Sequence, residues 1–330
     1  MTPEPLTRDP GTDALLSALR LPVVAAPMFL VSGPELVVAA CRSGIIGSFP
    51  TQNCRTVEDL DVWMGTITDA LGADAVPWAA NLVTHSTNAR LAEDLRLIAE
   101  YRPPVVITAL GSPRPVMEVV KGYGGLVLAD VVNMRLARNA AEAGVDGMAC
   151  VSAGAGGHTG HLSPFAFTSA IRAFFDGLIV IGGGISDGYG VAGAVAAGAD
   201  LVYMGTRFLA SRESQAEAAY KQMVVDADPD DLIVSDAITG TPASWLRESI
   251  RAQGLDPDNL APATGTKNYT AGGASIKRWK DVWAAGQGLQ PIRAVGGGGG
   301  GGGGGRAGGG GGAGGGGGGP PPAPRGGGGG

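Results

Sequence analysis

The segment Ser152-Ala-Gly-Ala-Gly-Gly-His158-Thr-Gly160 joins two residue types that are useful at a ligand-facing turn. Glycines let the backbone come close to a flat ligand and take positive φ. A histidine titrates near neutral pH and so suits general-base chemistry. The chain holds three histidines, and only His158 follows such a glycine run. It is the expected catalytic residue, set against the plainer reading of a histidine bonded to its own turn. His161 stands three residues later, yet no carboxylate or cysteine lies nearby in sequence to complete a metal site. Packing is expected of it, and no metal. His85, in NLVTHSTN, could face a substrate or close a turn.

Two further glycine-rich stretches follow, Ile181-Gly-Gly-Gly-Ile-Ser186 and Tyr203-Met-Gly-Thr-Arg-Phe208. Backbone N–H groups in such loops, each backed by a helix start, can hold a phosphate without any basic side chain. Near the N-terminus, Ala25-Ala-Pro-Met-Phe29 offers a fixed φ at Pro27 and a polarizable thioether at Met28. A methionine there could simply be core. Asn81 is a polar amide in an apolar NLV run. If buried it needs partners, and the edge of a ligand ring could supply them.

These residues need a frame. Short apolar, β-branched runs recur at Val23–Phe29, Ile45–Phe49, Trp78–Val83, Val105–Leu110, Gly125–Val131, Gly147–Ser152, Leu178–Gly183 and Leu201–Phe208. They lack alternation, as parallel strands covered on both faces do. Helical periodicity fills most gaps, clearest at Thr56–Leu71, Asn88–Tyr101, Asn133–Ala143 and Pro164–Phe175, with a small-residue helix at Ile185–Ala197. Eight such alternations predict an α/β fold, a (β/α)8 TIM barrel, in preference to an open doubly wound sheet. The glycine-rich loops then fall at strand ends six, seven and eight, on the face where barrel active sites lie.

After the eighth strand the pattern turns helical: Glu213–Val225, Pro229–Asp236 and Ser244–Ala252. The expected division is a barrel over 1–210 and 275–295, with a mainly helical substrate-side insertion over 211–274. Lys277–Trp283 reads as the last barrel helix. Residues 296–330 carry 26 of the 58 glycines and are expected to add nothing to a packed core.

Net charge is −6 with a pI near 5.1, and no lysine or arginine cluster occurs, which argues against a nucleic-acid partner. Cys41, Cys54 and Cys150 are odd in number and lack metal or redox spacing, so they read as reduced, buried thiols of a cytoplasmic protein. The start of the chain does not read as a signal peptide. No run approaches the ~20 apolar residues of a membrane helix. A soluble chain is expected, and self-association is compatible with it.

Together AAPM, NLVTHSTN, VVITALG, GAGGHTGHLSPFAF, GGGIS, YMGTRF, AAYKQM and KDVWAAGQG, in that order, resemble the nitronate monooxygenase family, once called 2-nitropropane dioxygenases. The resemblance runs over about residues 20–290. It implies an FMN cofactor, with Pro27, Met28 and Asn81 at the isoalloxazine ring and Gly156 and Gly157 lining it. Gly183, Gly184, Met204, Gly205 and Thr206 would surround the FMN phosphate, and His158 matches the family's catalytic histidine. Where many members have a glutamine seven residues before that histidine, this chain has Val151. Where they have Glu-Ala-Gly-Gly-His, it has Gly154-Ala155-Gly156-Gly157-His158. The implied reaction is oxidation of alkyl nitronates, such as propionate 3-nitronate, or nitroalkanes by dioxygen to a carbonyl compound and nitrite. A rival with the same architecture is an NAD(P)H-dependent FMN reductase of enoyl thioesters or quinones, which bleaching of the flavin by NADH without oxygen would reveal. A non-catalytic flavin-binding protein would leave His158 without a role.

Overall fold

The computed structural model describes residues 9–72, 76–260 and 279–297. Eight parallel strands close into a barrel: β1 (Val23–Ala25), β2 (Ile46–Pro50), β3 (Ala79–Val83), β4 (Val105–Ala109), β5 (Leu126–Val131), β6 (Gly147–Val151), β8 (Leu178–Gly182) and β9 (Leu201–Met204). β9 closes the ring on β1, with Ala25 in register with Met204. This is the TIM barrel that the strand–helix alternation implies, and the expected open sheet alternative is set aside.

Side chains on the strands split into two layers. Val24, Ile46, Ala79, Ile107, Leu128, Val180 and Leu201 fill the barrel interior. Their neighbours Ala25, Phe49, Leu82, Val106, Val127 and Ile179 pack outward against the helices. The inward faces of β3, β5 and β9 then carry, one step further toward the C-terminal mouth, Asn81, Asp130 and Tyr203. Polar side chains thus cap the apolar core at the C-terminal ends of these strands. Helix α1 (Pro10–Ser17) sends Leu15 into the interior cluster among residues near the strand starts, so it packs at the opposite end.

The outer helices are α2 (Pro34–Arg42), α3 (Val57–Leu71), α4 (Leu91–Tyr101), α5 (Arg114–Gly122), α6 (Met134–Glu142), α7 (Pro164–Arg172) and α8 (Gly188–Ala196). Their starts are set by capping. Thr56 and Asp59 form a reciprocal capping box on α3, Asn133 and Ser163 cap α6 and α7, and Asp187 caps α8. Each such cap stabilises by about 1 kcal/mol.

Three expectations need correction. The first and eighth strands end sooner than their apolar runs: Pro27 and Met28 lie in the loop after β1, and Thr206–Leu209 form a short helix, α9. The segment after the barrel is not all helical. It contains α10 (Ala218–Asp226), a hairpin of β10 (Leu232–Ser235) and β11 (Ala243–Leu246), and α11 (Arg247–Arg251). Leu232-Ile-Val and Ser244-Trp-Leu suit a pleated surface, and the Thr-Gly-Thr-Pro turn between them favours a hairpin over a continuous helix. The last barrel helix is also absent among the described residues: Trp279–Asp281 form a turn, while Lys277 and Arg278 lie outside them.

Candidate active site

β11 pairs on its other edge with a two-residue strand, β7 (Gly157–His158), to make a second, antiparallel sheet in the order β10-β11-β7. The partners are Ala243 with His158 and Ser244 with Gly157. His158 is thus held by the segment that follows the barrel as well as by its own loop. That loop is closed tightly. Ser152 N donates to Gly182 O at 2.8 Å, Ala153 N to Leu162 O at 2.7 Å, and Thr159 Oγ1 to Ser152 O at 3.0 Å. The His158 ring stands edge-on to Trp279, with centroids 5.2 Å apart, and Trp279 in turn packs on buried Trp245. Burial lowers the imidazole pKa below its ordinary 6.5, because removing water penalises the cation. His158 is therefore a neutral imidazole at physiological pH, the form a base requires.

The two glycine loops lie beside it. Gly183 has φ +149°, and a Cβ there would lie 2.5 Å from Ala153 O. Only glycine satisfies both the dihedral and the contact. Gly184 N donates to Gly154 O at 3.0 Å, which joins this loop to the histidine loop. Gly205 sits between β9 and α9 with an ordinary φ of −103°. A Cβ on it would come no nearer than 3.6 Å to any neighbour, with Met28 Sδ at 3.6 Å, Met28 Cγ at 3.8 Å and Ala26 Cβ at 3.9 Å.

A third segment, Ala284-Ala-Gly-Gln-Gly288, part of the KDVWAAGQG stretch, lies against both loops. Gly286 N donates to Thr206 Oγ1 at 2.9 Å, and Gln287 N to Gly154 O at 2.9 Å. A Cβ on Gly156 would lie 2.6 Å from Gly286 N, so Gly156 serves the close approach of these two backbones. A Cβ on Gly154 would lie 2.8 Å from Gln287 Oε1. The Gln287 side chain thus fills the space beside Gly154. Tyr220 of α10 pins the segment: its hydroxyl donates to Ala284 O and accepts from Ala284 N, and its ring stacks on Trp283.

The remaining candidates divide. Met28 is held at the mouth by Ser32 Oγ, which accepts from its N–H at 3.0 Å, and by Asn53 Nδ2, which donates to its carbonyl at 3.1 Å. Pro27 precedes it in the same loop. Asn81 finds its partners inside the protein, donating from Nδ2 to Ile107 O at 3.2 Å and to Asp130 Oδ2 at 3.3 Å. Gly157 has φ +66° and faces Trp279. His85 Nδ1 lies 2.9 Å from Thr87 Oγ1 in a local turn, and His161 is exposed. Among the described residues no group of three or more His, Cys, Asp or Glu gathers as a metal site. All three cysteines are free and buried. Burial pushes Cys41 up to about 11 and Cys54 up to about 12, so neither supplies a thiolate.

Asp130 and Tyr203 carry no mark in the sequence that sets them apart from their strands. Asp130 Oδ1 and Tyr203 Oη are both shut off from solvent, and neither makes a hydrogen bond of normal geometry. They lie close enough to couple. Burial pushes the Asp130 carboxyl up to about 7, while Asn81 and Tyr203 oppose that rise by stabilising the ionised form.

A sequence profile of nitronate monooxygenases matches residues 58–264, a span that holds His158, both glycine loops and the β10–β11 hairpin. The chain belongs to the nitronate monooxygenase family. It is therefore an enzyme of the oxidoreductase class, and the family's reaction is oxidation of nitronates. The nitronate monooxygenase of Paraburkholderia phytofirmans is 28% identical over 82% of this chain and 86% of its own. A carboxyl-CoA dehydrogenase of Mycobacterium tuberculosis is 28% identical over 74% of this chain and 67% of its own. Among solved structures, FabK from Thermotoga maritima superposes with a TM-score of 0.71 at 24% identity, covering 89% of this chain and 93% of its own. Nitroalkane oxidase from Streptomyces ansochromogenes gives 0.71 at 24% identity, covering 86% and 94%. At that identity both likenesses establish the barrel fold alone. No helix among the described residues is long and apolar enough to cross a membrane.

Proposed function

We propose that this member of the family oxidises alkyl nitronates, and the nitroalkanes they come from, with FMN and dioxygen, giving a carbonyl compound and nitrite. The observation that carries the reading is His158, held at the barrel mouth in its neutral form by burial and joined through Gly154 to the glycine loop after β8.

The residues present fit FMN. Gly183, Gly184, Gly205 and Thr206, next to Met204 at the end of β9, would form a cradle of small residues, which suits a phosphoester held by backbone donors. Met28 and Pro27 would lie against the ring, Asn81 at its edge, and Gly156 and Gly157 beside it. Asp130 and Tyr203, buried beside Asn81 and acting on one another, would add polar character at that edge. When bound, FMN supplies the electron acceptance and the reaction with dioxygen, which no side chain can provide.

The protein's own part is positional and acid–base. His158 accepts the proton alpha to the nitro group of a neutral nitroalkane, or hydrogen-bonds the nitro oxygens of an anion already formed. Trp279 and Trp245 keep water from one side of the imidazole, which preserves its basic form. The deciding experiment is aerobic turnover of purified, FMN-supplied protein with a nitronate. Nitrite release with oxygen uptake and without NADH supports the proposal. Turnover that requires NADH, with no nitrite from any nitronate, would assign the chain to the reductases instead.

A further inference from the structure

One side chain from beyond β2 holds the loop that follows β1. Asn53 closes the short 3-10 turn Thr51–Asn53. Its Oδ1 accepts from Leu30 N at 2.8 Å, while its Nδ2 donates to Met28 O at 3.1 Å and to Ser32 O at 2.7 Å. Both amide hydrogens and the amide oxygen thus serve a single turn. Within that turn Leu30 has φ +61°, a left-handed backbone that a residue with a bulky side chain seldom adopts. Its side chain is 40% exposed, so packing of the leucine does not account for the conformation. The bond from its N–H to Asn53 does.

Asn53 is itself fixed from behind. Arg90 donates from Nη2 to Thr51 O at 3.0 Å and from Nη1 to Cys54 O at 2.7 Å, so one guanidinium brackets the 3-10 turn. Its Nε donates to Asp94 Oδ1 at 3.0 Å, and Thr51 Oγ1 donates to Asp94 Oδ2 at 3.2 Å. Asp94 is wholly buried. Burying a carboxylate is costly unless it is paired and hydrogen-bonded, and here both partners belong to the support of the turn. A chain of contacts therefore runs from Asp94 on α4 through Arg90 and Thr51–Asn53 to Met28.

At the end of that chain the Met28 sulfur faces the glycine loop after β9. It stands 3.6 Å from where a Cβ on Gly205 would lie. The segment after α9 holds the turn from the other side, with Gln215 N donating to Val31 O at 2.8 Å.

Resting on the FMN reading above, we propose that Asn53 is the positioning residue for Met28. It keeps Leu30 in the left-handed conformation and so holds the thioether on the Gly205 loop, where the cofactor would lie. Without Asn53 the turn relaxes, Met28 leaves the loop, and the cradle loses one wall.

Two readouts test this. In protein labelled at the methionine methyl carbons, with no cofactor added, the Met28 line is the one missing from Met28→Leu. Asn53→Ala should shift or broaden that line and leave the line of wholly buried Met64 in place. FMN affinity is then read from the quenching of flavin fluorescence. Asn53→Ala should weaken it by roughly 10-fold, the scale of a lost hydrogen bond. In Met28→Ala protein the same substitution should weaken it no further, because both act through one contact. A destabilised fold alone would lower affinity equally with and without Met28. Leu30→Gly removes the strain that Asn53 restrains, so Asn53→Ala combined with Leu30→Gly should keep the fold and recover part of the affinity. An unmoved Met28 line in Asn53→Ala, or equal affinity losses with and without Met28, overturns the proposal. A Met28 line that depends on Asn53 in a protein that takes up no FMN contradicts the cofactor reading alone. A flavin-loaded, nitrite-releasing Asn53→Ala enzyme with wild-type FMN affinity contradicts this one alone.

Discussion

His158 lies opposite Ala243 in an antiparallel ladder, so the proposed catalytic residue belongs to a sheet built largely by the segment after the barrel. That segment is more than a cover for the mouth. Through Trp245 and Trp279 it shields the imidazole, and through Tyr220 it anchors the Ala284–Gly288 stretch on the glycine loops.

Tyr220→Phe tests this support. It removes one hydroxyl that serves both the carbonyl and the N–H of Ala284. Leaving buried backbone groups without a partner costs about 1–3 kcal/mol. The thermal midpoint should fall by several degrees, and FMN should dissociate more readily because Gly286 no longer clamps Thr206. A variant with wild-type Tm and flavin affinity would show that Ala284–Gly288 is held by other contacts.

Two glycines of the cradle should fail in different ways. Gly183→Ala places a methyl 2.5 Å from Ala153 O at a φ that side chains rarely adopt, so the fold itself should lose stability, by roughly 1–3 kcal/mol. Gly205→Asp meets no such obstacle in the backbone or its neighbours. It should stay folded and lose FMN, because a carboxylate among phosphate donors repels a dianion. Circular dichroism with chromophore extraction separates the outcomes. Full flavin content in folded Gly205→Asp would mean that the phosphate lies elsewhere.

Asp130 should also make folding pH-dependent. Its carboxyl is raised in the folded state from an ordinary 3.8 to about 7, so the fold disfavours the ionised form. The stability associated with the protonated group is full below pH ~4, is lost as pH rises from there to about 7, and stays lost above. The span corresponds to roughly 4 kcal/mol at most. Asp130→Asn lacks this dependence, and its Tm relative to wild type should be higher at pH 8 than at pH 5. Parallel Tm curves over that range would mean that Asp130 ionises as an ordinary carboxylate.

The strand runs made the barrel legible, because eight apolar β-branched stretches of similar length have few other uses. Their ends were less so. Tyr203-Met-Gly-Thr-Arg-Phe reads as one apolar stretch, and what stops β9 at Met204 is the turn at Gly205 into α9. The β10–β11 hairpin was hidden because Leu232-Ile-Val-Ser and Ala243-Ser-Trp-Leu are too short to separate strand from helix by period. They are strands because they can pair with each other and with Gly157–His158. His158 and the glycine loops announced themselves through residue type and spacing. Asp130 did not, since one aspartate at the end of an apolar strand says nothing of which face it takes. Its inward place follows from the barrel's alternation, counted from Leu126 and Leu128.

The most direct test of the proposed chemistry compares His158→Asn with wild type on nitroethane and on preformed ethylnitronate at pH 7.5, above the ordinary imidazole pKa that burial lowers further. The neutral compound needs a base to lose its alpha proton, whereas the anion has already lost it. Asparagine keeps a polar side chain of similar size but cannot act as that base. The variant should lose ~10²–10⁴-fold in kcat/KM on nitroethane and much less on ethylnitronate, with flavin content unchanged. Equal losses on the two forms would contradict the account, and would make His158 a residue that binds the substrate without deprotonating it.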